Sequence, residues 1–388
     1  VLDRFYTAPI STPTRAGLMT GRYPNRFGIR TTVIPPWRED GLDENEETLA
    51  DMLARNGYSN RAIIGKWHLG HTRKVHYPIN RGFSHFYGHL NGAIDYFDHM
   101  REGELDWHND WETCYDKGYS TELITQEAVR CINTYEKEGP FLLYVAYNAP
   151  HTPLQAQEKD IELYCDDFGS LTPKEQKRVT YQAMVSCMDR GIGTIVDALK
   201  KKGIMDNTFL IFFSDNGPAG VPGSSSGKLR GRKFDEWDGG VRVPAVFYWK
   251  RAESNYKNLS SQVTGFVDIV PTLKELVGDK NRPERAYDGI SILPLLIGST
   301  SCIDRNFYLG CGAVVNKDYK LIRKGRKPGL NLPQDFLVDY QTDPYEKKNA
   351  SNGNEQIVRS LYQVALKYDT ITPCLPEIPY GKGREGFK

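Results

Sequence analysis

A chain of 388 residues can build a sizeable core, and at roughly 100–200 residues per domain it is expected to form one large domain and a smaller one. Lys plus Arg number 50 against 49 Asp plus Glu, a balance that excludes a global field attracting nucleic acid or an anionic membrane, so any anion affinity must be local. No apolar run approaches the roughly 18 residues of a spanning helix, and the segment Val1 to Tyr6 lacks an export pattern, so any signal peptide is expected to have been removed.

Ser11-Thr12-Pro13-Thr14-Arg15 opens a helical segment that continues through Ala16-Gly17-Leu18-Met19-Thr20-Gly21-Arg22. On the residues alone this is capping chemistry, Ser at a helix start with Pro shortly after, and equally a hydroxyl held close to a guanidinium. Residues 46–56 place Leu49, Met52 and Leu53 at helical spacing and stop at Gly57, and Ser59 to Ile64 follows as a short strand. Phe141 to Tyr147 and Thr208 to Phe213 have the length and composition of strands buried on both faces of a parallel sheet. Between them, Val179 to Leu199 carries one apolar stripe, predicting a long helix packed on the sheet.

Asp268 is placed to cap a helix through Leu276, with Pro271 in its first turn and Gly278 as the stop. From Cys302 onward, short alternating segments (Ala313 to Ile322, Phe336 to Tyr340) precede a helix from Glu355 to Tyr368. The alternation of strands and helices predicts an α/β fold, followed by a small C-terminal antiparallel sheet covered by a helix. The boundary falls between residues 1–298 and 299–388.

The seven cysteines (Cys114, Cys131, Cys165, Cys187, Cys302, Cys311, Cys374) are sparse and form no close pairs of the zinc type. Two glycosylation triplets, at Asn258 and Asn349, matter only in a eukaryotic secretory protein.

Ser11-x-Pro-Thr-Arg15 followed by Leu18-x-Thr-Gly-Arg22 resembles the first signature of the sulfatase family, and Gly57 to Gly70 resembles the second almost position for position. The likeness continues through Arg81-Gly82-Phe83, Asp95-Tyr96, Pro150 to Leu154, Ser214 to Gly217 and Leu229 to Lys233, and is greatest to arylsulfatase B-like members. It implies an alkaline phosphatase-like fold: a large mixed, mostly parallel sheet sandwiched by helices, with the smaller sheet after it. It also implies hydrolysis of a sulfate ester on a carbohydrate, a sulfated oligo- or polysaccharide of glycosaminoglycan or galactan type.

In that family the first signature residue is oxidised to formylglycine, whose hydrate attacks sulfur with one hydroxyl and expels sulfate by re-forming the carbonyl with the other. Residue 11 would be that position, so a formylglycine-generating or serine-type sulfatase-maturing enzyme is implied as a partner. By the same resemblance Arg15 steadies the hydrate, His68 serves as its base, Lys66 and Lys233 hold sulfate oxygens, and His151 protonates the leaving oxygen. The residue types suit these tasks: Lys offers a compact charge to a tetrahedral anion, and His exchanges a proton near neutral pH.

Asp215 and Asn216 follow an apolar strand, where α/β sheets bind ligands, and their hard oxygens suit calcium, or magnesium as second choice; Asp-Asn-Gly is also turn chemistry. The resemblance favours the metal, with Ser11 completing the set. The family draws further ligands from an Asp pair ahead of Ser11 that this sequence does not contain, so a fragment is expected. Asp166-Asp167 lies in a surface connection and does not replace it.

Arylsulfatase B has Cys at position 11. A serine here is either matured by a bacterial enzyme or a substitution that traps substrate. Asp238 stands for a frequent Glu.

His89, Asn91, Asp95, Tyr96, His99 and Trp107 resemble a sugar-contacting segment, a composition that also describes a well-packed long loop. Two other functions remain open: a non-catalytic binder of sulfated sugars using unmodified Ser11, and a phosphatase or phosphodiesterase. Export to the periplasm, the exterior or the lysosome follows from the substrate class.

Overall fold

Helix boundaries follow their capping signals. In the computed structural model Thr48 and Thr172 each accept a hydrogen bond from the backbone N–H three residues on, and Asp51 and Glu175 answer with their carboxylates, starting the helices at Leu49 and Pro173. Gly203, at φ 73°, ends the second in a left-handed cap, with Ile204 N–H on Leu199 O. The structure describes residues 2–255, 261–326 and 330–387, so the glycosylation triplet at Asn258 lies outside the described residues.

In chain order the elements are β1 (Leu2–Tyr6), α1 (Ser11–Thr20), α2 (Leu49–Arg55), β2 (Asn60–Lys66), β3 (His85–His89), β4 (Met100–Arg101), β5 (Glu104–Leu105), β6 (His108–Asn109), β7 (Glu112–Thr113), α3 (Ser120–Thr134), β8 (Phe141–Ala146) and α4 (Glu158–Ile161). There follow α5 (Pro173–Lys202), β9 (Leu210–Phe213), α6 (Asp238–Val241), β10 (Arg242–Tyr248), β11 (Thr264–Gly265), α7 (Ile269–Leu276), α8 (Leu293–Leu296), β12 (Phe307–Gly310), β13 (Ala313–Val315), β14 (Tyr319–Ile322), β15 (Phe336–Asp339) and α9 (Glu355–Asp369).

They group into two units. The first comprises Val1–Val33, Phe209–Ala219 and Ser225–Lys382, and the second Ile34–Thr208, Gly220–Ser224 and Gly383–Lys388.

In the first unit a mixed sheet has the order β11-β1-β10-β9, with β1 parallel to β11 and antiparallel to β10. An antiparallel meander β12-β13-β14-β15 forms the second sheet, and Leu361 and Ala365 of α9 join its core with Val314, Leu321 and Leu337. That core is continuous with Tyr6, Tyr23 and Phe266. All ten residues of α1 are buried, and Gly17 lets the helix lie directly on the Phe266 ring, which an added Cβ would meet at 2.1 Å.

The second unit holds the sheet β7-β6-β3-β2-β8, parallel between β3, β2 and β8 and antiparallel beyond β3. Gly65, at φ 106°, faces Ala146 O across one strand pair, where a Cβ would sit 2.2 Å from that oxygen.

Four sequence expectations are corrected. The segment read as Phe141 to Tyr147 is parallel as expected, but β8 stands at the end of its sheet and only Ala146 of its six residues is buried, because an end strand is covered along one edge alone. The segment read as Thr208 to Phe213 is an antiparallel strand paired, among the described residues, only with β10, and Phe212 on it is exposed, because aromatic runs form half-buried edges as well as buried centres. The long helix begins six residues earlier than its apolar stripe, at Pro173, and its main partner is α3, which in turn lies on β2, β3 and β8. Asp268 does not cap α7: it has helical φ and ψ, and its carboxylate takes Gly265 N–H, Ile290 N–H and the Arg305 guanidinium, joining three segments.

Candidate active site

In the first unit, Ser11 is the first residue of α1 and does not cap it. Its hydroxyl donates to Asp215 Oδ2 (2.7 Å) and accepts from Arg15 Nε (2.9 Å), one helical turn on. Arg15 also reaches Asp215 Oδ2 through Nε (3.2 Å) and Nη2 (3.1 Å), so one carboxylate oxygen collects a hydroxyl and a guanidinium. Ser11 and Arg15 are 3% and 6% exposed, in a setting where such charge-assisted bonds hold geometry firmly.

Thr14, which the first signature includes without giving it a role, accepts from Ala8 N–H (3.1 Å) and lies 2.7 Å from Asp215 O as a donor, fixing the loop after β9 to the start of α1. Replacing Thr14 by valine should lower the unfolding free energy by about 1–3 kcal/mol, since Asp215 O loses a buried donor, and denaturant titration reads this. Gly217 completes the arrangement. A Cβ there would lie 1.9 Å from Gly239 O, so only glycine lets the two loops approach and lets Gly217 N–H reach Gly240 O (2.8 Å).

Lys233 stands close enough to this group to feel both its charges. Burial lowers its ammonium below the ordinary lysine range, Asp215 works to raise it, and Arg15 lowers it. Asn216 Oδ1 is buried without a hydrogen-bond partner, while its Nδ2 donates to Gly217 O (2.9 Å). An orphaned oxygen beside a carboxylate, with no sulfur or imidazole in the set, fits a hard divalent cation.

In the second unit, Lys66 ends β2 opposite His89 at the end of β3, and the pairing runs on through His68 N–H to Leu90 O (3.0 Å). Lys66 and His68 are 2% and 6% exposed. His68 is held at φ 63°, a left-handed conformation uncommon outside glycine, and its ring lies on the backbone of Gly92, where a Cβ would stand 2.3 Å from Cε1. Gly92 was not legible as a site residue because its requirement is the ring above it.

Asp106 was missed for a similar reason. Its carboxylate accepts Leu90 N–H (2.9 Å), Asn91 N–H (2.8 Å) and His108 Nε2 (3.0 Å), so it fixes the chain leaving His89. Burial works to raise this carboxyl, but the bond from His108 and the charges of His89 and His108 hold it well below the usual carboxylate range.

His151 Nδ1 lies 2.7 Å from Thr152 O, which can only accept, so Nδ1 carries the hydrogen and Nε2 is left as the ring's acceptor nitrogen. Its carbonyl accepts the Tyr96 hydroxyl (2.9 Å). Of the segment likened to a sugar-contacting one, His89, Tyr96, His99 and Trp107 are at most 1% exposed. His99 stacks on Trp107 with centroids 4.5 Å apart, and Tyr96 stacks on Tyr119. Asn91 and Asp95 are half-buried, and Asp95 accepts Phe97 N–H and Asp98 N–H (both 2.9 Å).

Asp238 serves a purpose the sequence did not show. It is fully buried and bonds Lys320 Nζ (2.9 Å) and Tyr340 Oη (3.0 Å), while its N–H donates to Glu346 Oε2 (2.7 Å), locking α6 to the C-terminal sheet.

The sulfatase family profile matches residues 1–279, which include both the Ser11-Arg15-Asp215 cluster and the strand-end Lys66-x-His68; the chain belongs to the sulfatase family. It is 35% identical to mouse (Mus musculus) arylsulfatase J over 75% of this chain and 49% of that one, and 32% identical to mouse N-acetylgalactosamine-6-sulfatase over 76% and 58%. The chain thus spans about half the length of the curated relatives it matches. Among solved structures it superimposes on Ps i-CgsB in complex with k-i-k-neocarrahexaose with a TM-score of 0.85 and 28% identity, covering 97% of this chain and 86% of that one. The fold is that of alkaline phosphatase-like sulfatases, mixed sheets with helices and a small antiparallel C-terminal sheet. Membership implies a formylglycine and a divalent metal.

Proposed function

We propose that this protein is a sulfuric ester hydrolase that removes sulfate from a sulfated carbohydrate, of glycosaminoglycan or galactan type, using residue 11 as formylglycine. The observation that carries the reading is the Ser11 hydroxyl held between Arg15 Nε and Asp215 Oδ2, at the signature position of a sulfatase chain. The neighbour solved with neocarrahexaose supports a sulfated-sugar substrate.

Arg15 orients the oxygen on residue 11, and Lys66 and Lys233 pair with sulfate oxygens as compact cations. His68 takes the proton from the residue 11 oxygen, and His151 delivers one from Nε2 to the departing sugar oxygen, its ring fixed through Nδ1 on Thr152 O. Asn91 and Asp95 contact the sugar, while His89, Tyr96, His99 and Trp107 form the packed support behind them. Asp215, Asn216 and residue 11 would hold calcium, with magnesium as the second choice, and the ion would supply positive charge beside the residue 11 oxygen. The catalytic region is assigned to residues 1–298 and an α+β subdomain to 299–388. Among the described residues no helix is long and apolar enough to cross a membrane, and export follows from the substrate class.

Mass analysis of the tryptic peptide containing Ser11, after expression in a host with a serine-type maturing enzyme, tests the reading. A loss of two hydrogens together with sulfate release from a sulfated glycan is expected. Unmodified serine with retained glycan affinity would make the protein a binder instead. Hydrolysis of an aryl phosphate in preference to the matched aryl sulfate would indicate a phosphatase or phosphodiesterase.

Asn216→Ala is expected to weaken calcium binding about tenfold or more in a calorimetric titration. Affinity equal to the parent's would remove Asn216 from the ligand set.

A further inference from the structure

Phe234, in the first unit, occupies a position that is unfavourable in two independent ways. Its φ is 79°, in the left-handed region that bulky side chains enter only under constraint, and its ring is 59% exposed, leaving an apolar face in water.

The constraint is a pinned turn. Lys233 N–H donates to Pro218 O (2.9 Å), and Phe234 N–H donates to Pro9 O (2.9 Å), two residues before Ser11. Asp235 closes the turn, its N–H on Arg232 O (2.9 Å) and its carboxylate accepting Arg232 N–H (3.1 Å). Gly231, at φ 82°, brings the chain against the Trp237 side chain just before it. Two consecutive side chains are thereby set to different tasks: Lys233 is half-buried within the field of Asp215 and Arg15, while Phe234 is presented to solvent. The Lys233 ammonium lies 5.7 Å from the ring centroid.

A cation and an exposed aromatic face at that spacing match a ligand carrying an anion next to a flat, C–H-rich surface. A sulfated pyranose has both: ester oxygens for the ammonium, and axial C–H bonds on one ring face for the aromatic. We propose that Phe234 is a stacking platform for the pyranose ring that bears the sulfate ester. The assignment rests on the sulfate-ester function given above and names how the sugar itself is held.

The test compares Phe234→Ala and Phe234→Trp with the parent full chain, all with matured residue 11, on a sulfated carrahexaose and a sulfated chondroitin oligosaccharide. On the sugar that the parent hydrolyses, Phe234→Ala should raise KM about 3- to 10-fold with little change in kcat, and Phe234→Trp should restore it. Saturation-transfer NMR on the parent should place axial sugar protons against a phenylalanine ring, and this signal should vanish in Phe234→Ala. An unchanged KM in Phe234→Ala overturns the platform and leaves the hydrolase reading intact. A Phe234→Trp variant as impaired as Phe234→Ala, with the same loss of Tm, also overturns it, by making the residue structural. A parent that releases sulfate from no sulfated glycan overturns the function, and the platform with it.

Discussion

Ser11→Ala is expected to lower sulfate release by about 10⁴-fold or more, because on the proposed reading it removes the oxygen from which the nucleophile is made. Thermal stability should change little by comparison. The variant loses one hydroxyl bonded to Asp215 and Arg15, while Arg15 keeps both of its own contacts to Asp215 Oδ2. Sulfated oligosaccharide should still bind if Lys66 and Lys233 hold the sulfate as proposed, so the variant separates chemistry from recognition. Sulfate release within tenfold of the parent would show that residue 11 is not the reacting group.

Lys320→Met is expected to cost about 3–5 kcal/mol of unfolding free energy, the range for breaking a buried ion pair and stranding its partners. Lys320 is completely buried, with Asp238 Oδ1 at 2.9 Å and Glu346 Oε1 at 2.8 Å, so its removal leaves two carboxylates inside the first unit with no ammonium between them. Guanidinium titration measures the loss, and a change below about 1 kcal/mol would show that the network contributes packing alone.

The same network predicts a pH dependence. Burial raises the Glu346 carboxyl, Lys320 opposes this, the nearby Asp238 carboxylate reinforces it, and the result is a value pushed up to about 7. A carboxyl raised in the folded state binds its proton more tightly there than in the unfolded chain. Its contribution to stability is therefore fully present below the ordinary glutamate range and is lost as pH rises through about 7. Glu346→Gln should flatten that part of the stability curve, and an unaltered curve would assign the slope to other groups.

Much of the fold was legible because local signals and the apolar pattern agreed. The glycine stop at Gly57 after α2, the apolar stripe of Val179 to Leu199 and the alternating C-terminal strands each arise from neighbouring residues. Strand β9 was misjudged because an aromatic run does not state which face it buries or how many partners it has. Asp268 was misjudged because its side chain bonds Ile290 N–H and Arg305, residues remote in sequence. The candidate site divides in the same way. Ser11, Arg15 and Asp215 were visible through family signatures, and the structure brings these three together in one unit. Gly92 and Asp106 had no such signal, and Thr14 stood in the first signature without a role: a hydroxyl on a distant carbonyl, a missing Cβ under an imidazole and a carboxylate on two successive amides become meaningful only once the chain is folded.

The placement of β1 also bears on how the molecule is made. Its two neighbours, β10 and β11, begin at Arg242 and Thr264, so during synthesis Leu2–Tyr6 leaves the ribosome more than two hundred residues ahead of either pairing partner. Ile34–Thr208, in contrast, is a continuous stretch containing every strand of its own sheet, and it can acquire structure while the remainder is still being translated. The strand leading to Ser11 must therefore wait with both edges unpaired, the condition in which chains aggregate or recruit chaperones, and closing so long a loop makes its pairing a slow event. Residue 11 is thus left accessible for most of translation, and if it is matured as proposed, that is the interval in which an enzyme would reach a side chain that the finished fold buries to 3% exposure.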